Sequence, residues 1–399
     1  MDVVARIRAF NAGREPDRLR MKYALMRHDA GSFLRGTCHL FYDRLAELGS
    51  FKASPSAWIC GDLHLENFGS FKGDNRLVYF DINDFDEAAL APLGWDLLRF
   101  MASLQVWCAR ANVTAVDTRA LVASFIAVYA STVSLGKAYW VERDLAEGSV
   151  RDLLDALDAR TRSAFLDRHT RLVDRRRVLL VDGRHALAAS DSKRAMVSAF
   201  MADFAKAQPR PPFYKVLDVA RRIAGTGSLG VERYVVLVEG KGSPDGNYLV
   251  DLKEALPSAL APHLRASQPR WHDEAERIVT LQRRTQAVSV AFLQPAFLGK
   301  RAFVLRGMQP AEDRLRWGLT GQSGSKLAKL VATLAGLAAW AHLRGSGRDG
   351  SAITDELVDF ARRAKWRTRL TEASQACAQQ VWRDAATYNA AFDDGAFSA

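Results

Sequence analysis

The hydrophobic period of the chain changes near the proline-rich segment 208–213, and this change strongly constrains the fold. Residues from about 115 to 207 have mostly helical spacing, with one hairpin predicted at 177–187. Beyond the prolines the sequence reads as strand, glycine turn, strand, loop and strand, and helical spacing returns after about 312. A run of strands between helical regions predicts an α+β fold.

The same pattern predicts three segments in two lobes. Residues 1–207 would form a helical lobe, 213–312 a small antiparallel-sheet lobe, and 322–399 the C-terminal helices that complete the helical lobe. A chain of 399 residues, 48% of them hydrophobic, is long enough to bury a core in both lobes.

Composition excludes several classes of protein. The four cysteines form no CxxC pair and the eight histidines form no cluster, which argues against a disulfide framework and a transition-metal site. Any metal should therefore be a hard cation held by carboxylates. No long uncharged apolar stretch and no signal-peptide core is evident, so we expect a cytoplasmic protein without a membrane span.

The net charge of +11 favours anionic partners. Nucleotides, phosphorylated substrates, nucleic acids and acidic protein surfaces all fit that charge, and arginine-rich codon usage would also produce it. A nucleic-acid-binding protein remains an alternative, but we find no recognised nucleic-acid motif and do not expect such a partner.

Two acidic loops follow two short apolar segments. Asp62 comes after the predicted strand SAWIC and lies five residues before Asn67, while Asp84 follows the strand RLVYFDIN. A kinase catalytic loop places its base aspartate and metal-ligating asparagine at this spacing, and a magnesium-holding carboxylate follows on a later strand. Aspartate and asparagine are also favoured turn residues, so a structural role is the alternative.

A glycine-rich segment lies far downstream, at Gly225, Gly227, Ser228 and Gly230 in GTGSLG. A dinucleotide-binding fold would need a helix after the last glycine, yet VERYVVLVEG alternates as a strand. A Walker loop would need Gly-Lys-Ser/Thr, which is absent. A hairpin whose amides cover nucleotide phosphates needs strands on both sides, as predicted here.

The hairpin interpretation also predicts a lysine on the next strand. Lys253 in YLVDLKEA has that position and would anchor the phosphates. The helix that follows should offer an acid to hold the lysine, and Glu274 and Glu276 are both candidates. A glycine-rich hairpin with a surface lysine is the structural alternative.

The stretch CGDLHLENFG…VYFDINDFDEAALAPLGWDLLR resembles the catalytic and metal-binding segments of aminoglycoside phosphotransferases and choline kinases. Across nearly the whole chain, the sequence resembles more closely the bacterial family designated domain of unknown function 2252, which is grouped with kinase-like folds. The segments that carry this resemblance are FLRG, GDLHLENFG, NDFDEA, WDLLR, GTGSLG and LKEA.

The resemblance implies a role for each matching residue. Asp62 would be the catalytic base, Asn67 and Asp84 would bind magnesium, and Asp96 would brace the catalytic loop. Cys60 stands where the phosphotransferases usually have histidine, a position that is largely structural.

The order of the motifs differs from that of ordinary kinases, in which the glycine loop and lysine precede the catalytic loop. A circular permutation would reconcile the two orders, because the termini of compact domains are often close together. It requires that the helix before the catalytic loop lie near the C-terminus, and residues 326–344, which contain Ala-His at His342, have that place. We therefore predict a circularly permuted, two-lobed protein-kinase-like fold with its nucleotide lobe at 213–312.

The combined prediction is an ATP- and magnesium-dependent phosphotransferase that acts on an unidentified hydroxyl acceptor. Nucleotidyl (AMP) transfer and a pseudokinase that binds nucleotide without turnover are the alternatives. Aminoglycosides, lipids, sugars and protein hydroxyls remain open as acceptors, because acceptor pockets are built from variable helices.

Overall fold

The computed structural model describes residues 1–47, 54–316 and 324–397. The fold is mixed α+β, with 52% helix and 17% strand, and combines small antiparallel sheets with a larger helical part. This confirms the predicted α+β class. The predicted C-terminal segment 322–399 begins and ends outside the described residues, at 322–323 and 398–399.

The helices and strands are numbered in chain order. The α-helices are α1 (Val3–Phe10), α2 (Pro16–His28), α3 (Ala30–Gly36), α4 (Cys38–Glu47), α5 (Gly94–Arg110), α6 (Ala115–Ser134), α7 (Gly148–Ala159), α8 (Arg162–His169), α9 (Asp191–Lys206), α10 (Glu274–Thr285), α11 (Gly324–Gly345), α12 (Thr354–Arg362) and α13 (Lys365–Asp393). The strands are β1 (Ser56–Ile59), β2 (Phe68–Lys72), β3 (Val78–Ile82), β4 (Ala89–Pro92), β5 (Thr170–Val173), β6 (Arg176–Leu179), β7 (Ala186–Ala188), β8 (Val216–Arg222), β9 (Arg233–Val238), β10 (Tyr248–Glu254), β11 (Gln294–Leu298) and β12 (Arg301–Gly307).

The largest sheet has six strands in the order β11-β12-β10-β9-β8-β7, and every neighbouring pair is antiparallel. All six residues of β9 are buried, as expected of a central strand with the apolar run YVVLV. Side chains such as Val236 and Leu252 pack with α9 on one face. Because side chains alternate along a strand, Arg233 and Lys253 lie on the other face.

The sheet extends beyond the predicted boundary at 208–213. The hairpin predicted at 177–187 is wrong in its pairing: β6 pairs with β5, and β7 joins the six-stranded sheet beside β8. The prolines form a short 3-10 turn, Pro211–Tyr214, that connects α9 to β8 while α9 packs on the sheet. This segment therefore connects two elements, α9 and β8, that pack against each other.

The helical part surrounds α5, in which 14 of 17 residues are buried, as expected of a helix that is packed on all sides. It packs against α13, α6 and α3, so helices from both ends of the chain enclose it. Two small two-stranded antiparallel sheets, β1 with β4 and β2 with β3, carry the acidic loops.

Within the described residues, one helix, α6, is long and apolar enough to cross a membrane, by length and composition alone. Seven of its side chains are buried in the described structure, where it packs against α5, α11 and α12. Its contacts are those of a core helix of a packed protein.

Candidate functional site

A cavity of about 490 Å³ lies where the two acidic loops face the glycine loop. Six of the eight residues predicted for the site line this cavity: Asp62, Asn67, Asp84, Gly225, Gly227 and Ser228. The other two, Lys253 and Gly230, lie next to lining residues. The fold thus brings together segments that are about 160 residues apart in sequence.

The first acidic loop leaves β1 through a glycine. Gly61 has φ +80°, and a Cβ atom there would lie 2.3 Å from the backbone oxygen of Glu87, so only glycine fits. The next side chain, Asp62, accepts a hydrogen bond of 2.9 Å from Nε of Arg99 on α5. Burial raises the pKa of the Asp62 carboxyl, although Arg99 opposes that rise. A carboxylate with a raised pKa is suited to accept a proton.

Asn67 connects the two acidic loops. Its Nδ2 donates to the backbone oxygens of Asp62 at 3.0 Å and Asp84 at 3.2 Å, which fixes the orientation of the amide. Its Oδ1 is buried and accepts from no group in the described part of the chain. A buried oxygen without a donor is costly, and an amide oxygen is a suitable ligand for a hard cation.

Lys253 lies beneath the second acidic loop. Its Nζ forms an ion pair with Asp86 and lies 3.6 Å from Oδ1 of Asp84. Burial alone would raise the pKa of Asp84, but Lys253, Arg314 and Arg306 together hold it well below its usual range. The Asp84 carboxylate is therefore charged and available at neutral pH.

The acid that holds the lysine differs from both predicted candidates. Glu274 forms an ion pair with Arg277, and Glu276 accepts from the backbone of His272. Both glutamates belong to the first turn of α10, where they stabilise the positive end of the helix. Asp86, on the loop rather than on the helix, is the partner of Lys253.

A buried ion cluster continues the charged face of the sheet. Asp251 on β10 contacts Arg222 at 2.8 Å and Arg233 at 2.5 Å, with Arg306 at 3.6 Å. Arg306 also donates to the backbone oxygen of Asn83 at 3.1 Å, so the cluster attaches the sheet to the second acidic loop. Sequence reasoning missed this cluster, although a charged residue inside the apolar run YLVDLK was a signal for it.

The glycine loop is held from the N-terminal helices. Arg14 donates to the backbone oxygens of Gly227 at 2.8 Å and Leu229 at 3.1 Å, and Lys22 donates to Gly227 at 3.1 Å. Gly230 has φ +85°, and a Cβ there would lie 2.9 Å from Cβ of Arg14. These cations had no sequence signal, because the contacts join residues more than 200 positions apart.

Three backbone N–H groups of the glycine loop lack a protein acceptor. Within the described residues, the backbone N–H groups of Thr226, Gly227 and Ser228 donate to no protein acceptor. All three residues line the cavity. Successive free amides in a turn are a common way of binding phosphate.

Asp96 at the start of α5 braces the first acidic loop. Its carboxylate accepts from the backbone N–H groups of Cys60 and Gly61, both at 2.9 Å. His342 on α11 lies 3.4 Å from the same carboxylate, and its other ring nitrogen lies 2.7 Å from the hydroxyl of Tyr129. His342 therefore helps to position Asp96, which in turn holds the first acidic loop.

Glu87 is a further acid on the cavity wall. Burial raises its pKa to about 7, even though the backbone N–H of Ala259 donates to it, because Asp62 and Asp86 add negative charge nearby. Glu87 therefore exchanges a proton near neutral pH.

Among the residues with described positions, no group of three His, Cys, Asp or Glu side chains could hold a metal ion. Asn67 and Asp84 nevertheless both line the cavity, and Nδ2 of Asn67 donates to the backbone oxygen of Asp84. Magnesium in phosphotransfer sites is commonly held by one or two protein groups, with phosphates and water completing the octahedron. The pair fits that mode of binding.

The family model described as "Uncharacterized protein conserved in bacteria (DUF2252)" matches residues 14–391. The chain belongs to the DUF2252 family. The matched range includes both acidic loops, the glycine loop and Lys253, so the whole candidate site lies within the DUF2252 region. Searches of curated proteins and of solved structures gave no significant match. Family membership is thus confirmed, while the likeness to kinases stays a prediction.

Proposed function

We propose that this DUF2252 protein is a kinase-like phosphotransferase that uses ATP and magnesium and acts on a hydroxyl acceptor. One observation carries the proposal: Lys253 forms an ion pair with Asp86 across 167 residues of sequence and lies 3.6 Å from Asp84. A lysine from the strand after a glycine hairpin thus meets the carboxylate proposed for magnesium, the arrangement that phosphoryl transfer requires.

The order of elements supports a circularly permuted kinase-like fold. The glycine hairpin β8–β9, the lysine strand β10, the helix α10 and the strands β11 and β12 follow one another as in a kinase nucleotide lobe. The segment after α11 then lies beside the start of the acidic region, because the backbone N–H of Ala352 donates to the oxygen of Ser56 at 2.8 Å. The helix α11 packs against β1, the strand that leads into the loop of Asp62. The helix and this loop are therefore neighbours in space, although the loop precedes the helix in the sequence.

Separate groups of the cavity would bind the phosphates and the magnesium ion. The free amides of Thr226, Gly227 and Ser228 would bind phosphate oxygens, and Lys253 would neutralise part of their charge. Asn67 and Asp84 would hold magnesium, which when bound neutralises negative charge on the phosphates.

Asp62 would orient the acceptor hydroxyl and take its proton, a role that its raised pKa favours. Asp96 would keep the loop of Asp62 in place through the hydrogen bonds to Cys60 and Gly61. The ion pair of Asp62 with Arg99 fixes the carboxylate at one rotamer, so that proton transfer occurs at a defined position.

One feature departs from the protein-kinase pattern V-A-I-K, in which a small apolar residue lies two positions before the lysine. Here that residue is Asp251, which is fully buried in the arginine cluster. The purine of a nucleotide would therefore lack an apolar surface at this point. The proposal depends on the phosphate end of the ligand, so inorganic tripolyphosphate is an informative comparison with ATP.

Turnover can be tested with ATP labelled at either the γ- or the α-phosphate, in the presence of magnesium. We expect label from the γ-phosphate to appear as free phosphate or on an acceptor, and this signal to disappear in Asp62→Asn and Asp84→Asn. Asp203→Asn is the matched control, because Asp203 on α9 is 76% exposed and lies outside the cavity. Transfer of the α-label would indicate nucleotidyl transfer instead, and absence of both signals while ATP still binds would favour a pseudokinase.

A further inference from the structure

A second cavity, of about 360 Å³, lies between the β2–β3 hairpin, the start of β10 and the segment after β12. None of the residues predicted from the sequence lines it. Four of its twenty lining residues are aromatic: Phe71, Phe165, Tyr248 and Phe292. Flat aromatic walls are a usual surface for stacking a planar ring.

One residue that lines this cavity has a buried side-chain amide without a partner. Gln309 is 6% exposed and lines the cavity, and neither its Nε2 nor its Oε1 forms a hydrogen bond within the described chain. Its backbone is held by Arg222, which donates to the Gln309 oxygen. An amide whose two polar atoms are both buried and unpaired destabilises the fold, and a ligand that bonds to these atoms would remove that penalty.

A second lining residue, Asn247, also has a buried side-chain amide. Asn247 is fully buried, and its Nδ2 donates to the oxygen of Glu239 at 3.0 Å and to Oγ of Ser243 at 2.9 Å. These two bonds fix the side chain and leave its Oδ1 without a partner among the described residues. Three buried side-chain atoms of lining residues, Nε2 and Oε1 of Gln309 and Oδ1 of Asn247, thus lack a partner among the described residues.

The rim of the cavity is positive. Lys72, Arg76 and Lys241 are exposed lining residues, and none forms an ion pair with a described acid. Asp313, the one acid among the described lining residues, forms an ion pair with Arg160 at 2.6 Å. A ligand with an anionic end would find three available cations there.

An amide group is complementary to adenine, because it can accept from the exocyclic amine and donate to the adjacent ring nitrogen. Arg162 covers one face of the Tyr248 ring, with its guanidinium carbon 4.0 Å from the ring centroid, so a base would stack on the opposite face. We propose that the second cavity binds an adenosine phosphate, with its base against Gln309 and Asn247 and its phosphate at the cationic rim. No acid is free there to hold a metal, so binding should not need magnesium.

The proposal predicts that AMP binds in the presence of EDTA, measured by isothermal titration calorimetry. Gln309→Leu should weaken that binding by at least about tenfold, as expected for a lost two-point contact with a base. The variant should fold as well as the wild type, because it replaces an unpaired buried amide with an apolar side chain of similar size. Gln309→Glu, which keeps the acceptor and loses the donor, provides a second variant.

Two comparisons separate this cavity from the acid-lined one. Asp84→Asn should bind AMP as tightly as the wild type, and GMP or inorganic phosphate should bind at least about tenfold more weakly than AMP. Absence of AMP binding, equal affinity in Gln309→Leu, or loss of binding in Asp84→Asn would each overturn the proposal. The proposed phosphotransfer at the acid-lined cavity is independent of all these results.

Discussion

Glu87 provides a quantitative prediction, because its folded pKa of about 7 lies well above the 4.5 of an ordinary glutamate. The folded state therefore prefers the protonated form. The contribution of Glu87 to stability should be most favourable below about pH 4.5, fall as the pH rises to about 7, and stay level above that. At about 1.4 kcal/mol per pH unit, the ionised form is destabilised by at most about 3 kcal/mol. Glu87 is partly exposed, so we expect about 1–2 kcal/mol after solvent screening.

The substitution Glu87→Gln isolates this effect, because the amide keeps an oxygen for the N–H of Ala259 but carries no charge. Urea unfolding of wild type and variant should be followed from pH 5 to pH 8 in EDTA, so that divalent cations do not neutralise the carboxylate. We expect similar free energies of unfolding at pH 5 and a variant that is about 1–2 kcal/mol more stable at pH 8. A difference that does not change with pH would refute the reasoning.

Three further predictions concern the supports of the site. Asp96→Ala should lower the free energy of unfolding by about 3–5 kcal/mol, since two buried amides lose their acceptor; urea unfolding measures this. Lys253→Met should raise the pKa of Asp84, because Lys253 helps to hold that pKa below its usual range. The lowered pKa stabilises the fold above about pH 4, and this stabilisation disappears on acidification. Acid unfolding of the variant, followed by circular dichroism, should therefore begin at a higher pH than that of the wild type. Gly230→Ala should cost about 1–3 kcal/mol and weaken stabilisation by tripolyphosphate in thermal shift, because of its positive φ and the nearby Arg14.

Local chemistry made part of the site predictable. Turn residues after short apolar strands marked the loops of Asp62 and Asp84, and the alternation around Gly225 marked a hairpin. Lys253 could be placed on the following strand because alternation continues there. Each of these inferences uses residues within about thirty positions of one another, where sequence patterns are informative.

The remaining features depend on contacts distant in sequence. Asp86 rather than a glutamate of α10 holds Lys253, because the loop and not the helix lies against the lysine. The edge strand β7 precedes the prolines in sequence and joins the six-stranded sheet beside β8. This pairing could not be predicted, because a strand of three residues fits two possible hairpins and carries little information about its partner. The hold of Arg14 on the glycine loop likewise depends on how α1 and α2 pack.

The central claim is that Asn67 and Asp84 hold a divalent cation together with the phosphates of a nucleotide. Electron paramagnetic resonance of Mn²⁺, used in place of Mg²⁺, measures the free cation directly. We predict that wild type with ATP depletes free Mn²⁺ more than ATP alone, and that Asp84→Asn with ATP does not, whereas Asp203→Asn behaves as wild type. Equal depletion by wild type and Asp84→Asn would contradict the account.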